Sequence, residues 1–189
     1  MASGRPRASS RETLADAACE LFLEQGYEAT SVGDIARRAG VSRSSFFNYF
    51  ASKADILWSG LDAQIERLAE RVLADDEDLE GAIVDIALEF TPDALALALV
   101  HGEAMAMQAE VEREAAVRRA AIARVVARHL QRDGATAVQA EVAGAAYAGA
   151  VLAAISAWAG GGPTRPALRD TLAEAISIAS RTRTPPADA

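Results

Sequence analysis

Apolar residues recur with a helical period along almost the whole chain. In 11–25, Leu14, Ala17, Ala18, Leu21 and Phe22 fall at i, i+3, i+4, i+7 and i+8, one face of an α-helix. Ser9 with Glu12 has capping-box spacing at its start, and Gly26 followed by Tyr27 suits its end. A short helix is predicted over 32–39, capped by Ser31 with Asp34 three positions on. Gly40 stops it, and only Gly40-Val41-Ser42 separate it from the next helix, 43–49, which Ser42 caps. Ser52 caps a fourth helix running to about residue 73, with Leu57, Leu61, Ile65, Leu68 and Val72 on one face.

Asp75-Asp76-Glu77-Asp78 then break the pattern. We read these acids as a solvated turn leading into a helix over 79–90, rather than as a cation site. Thr91-Pro92-Asp93 begins the next helix, with proline at its first position. That helix carries His101, Glu103, Met105 and Met107; His101 and Glu103 are two apart and share no face, which argues against a metal pair. A charged helix over 110–132 alternates arginines with valine, isoleucine and leucine. Its arginines are read as a solvated face paired with Glu110, Glu112 and Glu114, the alternative being a phosphate-binding stripe. The helix over 136–159 has no charge from residue 142 to 159, long enough to cross a membrane. It is rich in alanine and glycine rather than leucine, so burial against a second subunit or within the chain is the preferred reading, and no membrane is expected. The last helix, 169–180, sets Leu168, Leu172, Ile176 and Ala179 on one side.

Composition points the same way. Of 189 residues 45 are alanine, while aromatic residues make up only 5%. Helix formers dominate and strand formers are sparse, so the chain is predicted to be all-α, with about nine helices. The boundaries expected are 1–55 for a small N-terminal domain, 56–182 for a larger helical domain and 183–189 for a frayed tail. Cys19 is the lone cysteine, which excludes an intramolecular disulfide and cysteine-rich zinc sites. The opening run has no apolar core of a secretory signal, so a cytoplasmic protein is expected. No glycine-rich phosphate loop, nucleophile elbow or metal-ligand set is present, so neither an enzyme nor a cofactor is expected.

Two helices joined by a three-residue turn containing glycine have the spacing of a helix-turn-helix. The second helix of such a pair enters the DNA major groove with its N-terminal residues at the base edges. Those residues are Arg43, Ser44 and Ser45. Arginine can donate two hydrogen bonds to guanine, and serine can reach several bases. Seven of the ten aromatics lie between Phe22 and Trp58, supplying the core of a small three-helix unit. Phe46 and Phe50, four apart, are expected inside; Tyr49 points elsewhere, free to touch a phosphate. The net charge of −8, taken alone, opposes DNA binding. Residues 1–55, however, hold seven acidic and seven basic residues, so the rest of the chain carries the whole excess.

The run from Thr30 to Leu57 includes Ser31-Val32-Gly33-Asp34-Ile35-Ala36, Gly40-Val41-Ser42-Arg43 and Phe46-Phe47-Asn48-Tyr49-Phe50. It closely resembles the DNA-binding domain of TetR-family transcriptional regulators, a likeness extending from about Arg11 to Trp58. The resemblance implies phosphate contacts from Thr30 and Ser42 at helix starts, base reading by Arg43, Ser44 and Ser45, and backbone contacts from Tyr49 and Lys53. Phe47 stands where the family commonly has tyrosine, and Gly33 is an unusual residue inside a helix. Beyond Trp58 the likeness extends only to helix number and length.

The function this implies is a homodimeric repressor that binds a palindromic operator in double-stranded DNA and is released by a small effector. Ligand contacts are expected from Leu61, Ile65, Phe90, His101, Met105 and Trp158, suiting an apolar or acyl-type molecule; the arginine-bearing seventh helix keeps an acyl-coenzyme A open. A subunit interface is expected at Ala145, Ala148, Gly149, Leu152, Ile155, Leu172 and Ile176, where small residues let backbones approach. The alternative is a ligand-independent helical DNA-binding or adaptor protein.

Overall fold

Serine and threonine caps, Ser31, Ser42, Ser52 and Thr136, set four of the helix starts. The computed structural model describes residues 7–72, 78–88, 93–162 and 164–181, and these are helical with no strand. The helices are α1 (Arg7–Gln25), α2 (Val32–Arg38), α3 (Arg43–Phe47), α4 (Asp55–Arg71), α5 (Leu79–Val84), α6 (Asp93–His101), α7 (Gln108–Arg132), α8 (Ala137–Gly160) and α9 (Leu168–Ser180). Two expectations fail at helix ends. α1 begins at Arg7, so Ser9 lies within it rather than capping it. α5 gives way after Val84 to a 3-10 turn, Asp85–Leu88, instead of running on to residue 90. The acids at 75–77, Phe90, the Thr91-Pro92 start and the tail from 182 lie outside the described residues. Asp78 caps α5, accepting from the Glu80 N–H at 3.2 Å.

The chain forms two compact units. One comprises residues 1–59 with 92–111, the other 60–91 with 112–189. In the first, α1 packs on α2 and on α6, and α2 packs on α3. Its core is Leu14, Ala18, Phe22, Ile35, Phe46, Phe50 and Trp58, all close to full burial. Phe22 meets Tyr27 edge-on with ring centroids 5.0 Å apart, and Phe46 lies 5.7 Å from Phe50. The Tyr27 N–H donates to the Met105 carbonyl at 2.8 Å, tying the end of α1 to the turn after α6. Ala106 in that turn has φ 50°, a left-handed conformation that costs about 1–2 kcal/mol outside glycine. Cys19 is buried; burial, with the charges of Asp16 and Glu20, pushes its thiol up to about 11, so it packs as a small apolar group.

In the second unit α8 packs along α9, and α9 also meets α5 and the 3-10 turn. Gly144 lets α8 close on α7: a Cβ there would lie 2.6 Å from the Ala123 carbonyl oxygen. Arg118, on α7, forms two hydrogen bonds to the Asp62 carboxylate at 2.9 and 2.7 Å and a third to Glu114. Burial opposes the Arg118 charge, but the hydrogen bonds of the two carboxylates outweigh it and leave its pKa raised. The Tyr147 hydroxyl donates to Glu80 at 2.9 Å.

α8 is long and apolar enough to cross a membrane, yet half of its most apolar stretch is buried inside the chain. This burial corrects most of the expected subunit interface. Ala148, Leu152, Ile155, Leu172 and Ile176 are at most 4% exposed, packed within a single chain where α8 meets α9. They cannot also present a surface to a partner. Ala145 is exposed and Gly149 half-buried. They share their face with Val138, Val142 and Ala153, where the two valines are 74% and 57% exposed.

Candidate nucleic-acid interface

The α2–turn–α3 unit is built by capping. Ser31 accepts from the Asp34 N–H at 3.1 Å, and Asp34 accepts from the Ser31 N–H at 3.0 Å and its hydroxyl at 2.6 Å. The Ser31 hydroxyl, the Ser31 N–H and the Arg37 guanidinium together hold the Asp34 carboxyl down at about 2. At the other end Gly40 takes φ 69°, which a side chain would resist. The Val41 N–H then reaches back to the Ala36 carbonyl at 2.9 Å, closing the helix in a Schellman pattern. Ser42 starts α3, accepting from the Ser45 N–H at 3.0 Å. Asp55 closes the far side, its carboxylate accepting from the Ala51 N–H at 2.8 Å while its own N–H donates to Ser52 at 3.2 Å.

These caps set a short helix on the surface. Ser42, Arg43, Ser44, Phe47 and Asn48 are exposed, Ser45 and Tyr49 are half-buried, and Phe46 is fully enclosed. The Ser42 hydroxyl lies 2.8 Å from those of both Ser44 and Ser45. Arg43 holds its guanidinium 5.9 Å from the centre of the Phe47 ring, and that ring is 49% exposed. Asn48, exposed at the end of α3, was not singled out from the sequence. Its only signal there was its place two residues before Phe50.

Two residues expected at the DNA backbone are committed elsewhere. Thr30 is 1% exposed, and its hydroxyl donates to the Gly26 carbonyl at 2.8 Å while accepting from the Gln25 amide at 3.2 Å. It locks the turn between α1 and α2 rather than facing outward. The Lys53 ammonium donates to the carbonyls of Tyr27 at 2.6 Å and Thr30 at 3.1 Å, and lies 4.0 Å from the Tyr27 ring centre. Arg38 pairs with Glu24 and Glu20 of α1, which raise its pKa, and its own hydrogen bond lowers that of Glu24. Arg37 pairs with Asp34. Arg11 ties α1 to the segment after α3, donating to the Tyr49 carbonyl at 3.1 Å and to Ser59, with its guanidinium 4.5 Å from the Phe50 ring centre. Among the described residues nothing requires glycine at position 33, since a Cβ there would meet only the Ser31 hydroxyl at an ordinary 3.5 Å.

The expected ligand residues within the described part of the chain are divided between the two units. Leu61 and Ile65 are buried in the second unit and Trp158 is half-buried there, its ring covered by Arg165 at 3.7 Å. His101 and Met105 belong to the first unit, the histidine exposed and the methionine fully buried. None of them lines the cavities of about 490 and 140 Å³ in the second unit.

A glycine-turned pair of capped helices with an exposed reading face defines a helix-turn-helix DNA-binding domain. Residues 14–58 match the model of the bacterial regulatory proteins of the tetR family. The chain is 33% identical over 98 residues to the fatty acid metabolism regulator protein of Bacillus subtilis, covering 52% of this chain and 50% of that one. It spans a third to a half of the length of the first curated relatives it matches. Solved structures align over nearly the whole length. Pseudomonas aeruginosa NalD, the secondary repressor of a multidrug efflux pump, matches with a TM-score of 0.58 and 23% identity over 93% of this chain and 97% of that one, a likeness of fold. Thermus thermophilus FadR, a transcriptional repressor solved with lauroyl-CoA, matches with a TM-score of 0.52 and 26% identity over 95% and 99%. Residues 14–58 thus form a helix-turn-helix domain of the tetR family, and over nearly its whole length the chain shares the fold of these solved regulators.

Proposed function

We propose that this chain acts as a homodimeric repressor of the bacterial cytoplasm, reading a palindromic operator with α3 and released from it by a small effector. The observation that carries this reading is the Arg43–Phe47 pair. It is the exposed cation and the exposed ring of a helix whose neighbouring cations, Arg37, Arg38 and Lys53, are already engaged by the chain itself. Arg43 reads guanine through two hydrogen bonds, Ser44 and Ser45 reach adjacent base edges, and Ser42 and Tyr49 contact phosphates. Phe47 lacks a hydroxyl, so the group in the major groove that rewards it is the thymine methyl. A guanine beside a thymine is therefore expected in each half-site.

The effector is apolar or acyl-type. The lauroyl-CoA held by the Thermus thermophilus protein and the name of the Bacillus subtilis relative support that class. Selection of bound DNA from a random pool tests the reading. A palindrome with half-sites about 34–36 Å apart is expected. Replacing thymine by uracil at the Phe47 contact should weaken wild-type binding and leave a Phe47→Ala variant unaffected. A selected site without symmetry would overturn the dimeric reading, and equal loss with uracil in both proteins would overturn the role of Phe47.

A further inference from the structure

Three polar side chains are buried among the described residues, Thr30, Gln64 and His129. Thr30 and His129 have hydrogen-bond partners in the chain. Gln64, on α4, is 5% exposed, yet its amide has no hydrogen-bond partner among the described residues. Buried polar side chains are nearly always satisfied, so an unpaired one points to a water or a ligand.

Gln64 lines a cavity of about 140 Å³. One wall is Gln64, Arg67, Leu68 and Arg71, spaced i, i+3, i+4 and i+7 along α4; facing it are Ala82, Asp85 and Ile86 of α5 and the 3-10 turn. The volume is close to that of an engineered cavity of about 150 Å³ that takes up benzene, so one five- or six-membered ring fits. The charged groups of the lining are already engaged. Arg71 pairs with Asp85 at 3.0 Å, and Arg67 is engaged as well. A charged guest would have to break such a pair. The unmet chemistry is therefore neutral, the Gln64 amide beside the apolar Leu68, Ala82 and Ile86.

A primary amide offers its oxygen and one N–H along a single edge. Its complement is a cis amide, whose C=O and N–H point the same way. Open-chain secondary amides are trans and offer only one of the two, whereas a small ring holds the amide cis. Glutamine takes adenine through the same two-bond edge. We propose that this cavity binds a small neutral ring with a cis-amide edge, a lactam or a pyrimidine base, paired to Gln64 by two reciprocal hydrogen bonds. The ring carbons lie on Leu68, Ala82 and Ile86. Binding here does not depend on the repressor reading.

Ligand-observed NMR titration of the full chain with δ-valerolactam, uracil and cyclohexanone tests it. Cyclohexanone keeps the ring and the carbonyl of the lactam but lacks the N–H. At least one of the two amide rings should bind tenfold or more tighter than cyclohexanone, and the tighter of them identifies the ring. Gln64→Met, of similar length, should remove that preference. It should leave the unliganded chain at least as stable in urea, because the amide it deletes has no partner to lose. Ala82→Leu, which fills the facing wall, should abolish binding of all three, and Ala82→Val serves the same end if the leucine variant fails to fold by circular dichroism. Binding by neither amide ring leaves a bridging water as the partner of Gln64 and overturns the site. Equal affinity for cyclohexanone, or a preference that survives in Gln64→Met, overturns it too. A loss of stability in unliganded Gln64→Met would give the amide a structural role in place of a ligand.

Discussion

Lys53 is the chain's only lysine, and its ammonium sits over the Tyr27 ring between two backbone carbonyls. Hydrogen bonds from a charged donor and a partly solvated cation–π contact together make this arrangement worth about 1–2 kcal/mol. Lys53→Ala should lower unfolding stability by that amount in urea. It should leave the salt dependence of DNA binding unchanged, whereas a lost phosphate contact would reduce the slope by about one. A reduced slope with unchanged stability would return Lys53 to the DNA backbone. Arg43 is the contrasting case, exposed and resting on an exposed ring. Arg43→Ala should cost about 1–3 kcal/mol on the selected operator and relax the preference at one base pair; the same loss on random DNA would contradict base reading. The sequence pattern assigned both residues to the DNA backbone or bases. It could not show that one cation is already engaged, because the carbonyls of Tyr27 and Thr30 become its partners only when the turn after α1 folds back.

Among the elements, α2 is most dependent on its cap. It is only seven residues long, and its first turn is closed by the reciprocal Ser31–Asp34 bonds. The Asp34 carboxyl titrates at about 2, below the ordinary value near 3.9. The stabilisation it contributes is therefore complete above about pH 4 and is lost as pH falls toward 2. Asp34→Asn should be less stable than the parent at pH 7, with a flatter loss between pH 4 and 2 in denaturant titrations. Parallel profiles would show that the cap does not depend on the carboxylate. Such caps were legible in the sequence because each bond spans only two to four residues. The crossing of α7 and α8 was not. Gly144 read as one of a stripe of small residues, but its own Cβ position falls 2.6 Å from the Ala123 carbonyl. Gly144→Ala should cost about 1–3 kcal/mol in thermal or urea unfolding, the range for overpacking against backbone. A neutral effect would mean the two helices can part without loss.

For the whole molecule, subunit association is expected along the outer face of α8. Val138, Val142, Ala145, Gly149 and Ala153 recur there at helical spacing, and a Cβ at Gly149 would meet nothing within 4 Å among the described residues. Val142→Arg combined with Ala153→Arg should yield monomers in sedimentation with helix content unchanged; a persistent dimer would move the interface elsewhere. Substitution at Ala148, by contrast, would test the fold of one chain, since that residue is fully buried.

By itself the sequence determined the all-helical architecture, most helix ends and the glycine turn of the helix-turn-helix. These depend on local periodicity, on caps a few residues apart, and on glycines whose backbone freedom is intrinsic. Only the tertiary structure decided which polar groups are already satisfied and which apolar faces are already covered. Thr30 and Lys53 turned inward, five of the seven interface residues proved to be the chain's own core, and Gln64 came to line a cavity. Each depends on partners many residues away, and a helical pattern shows that a face will be buried without showing against what.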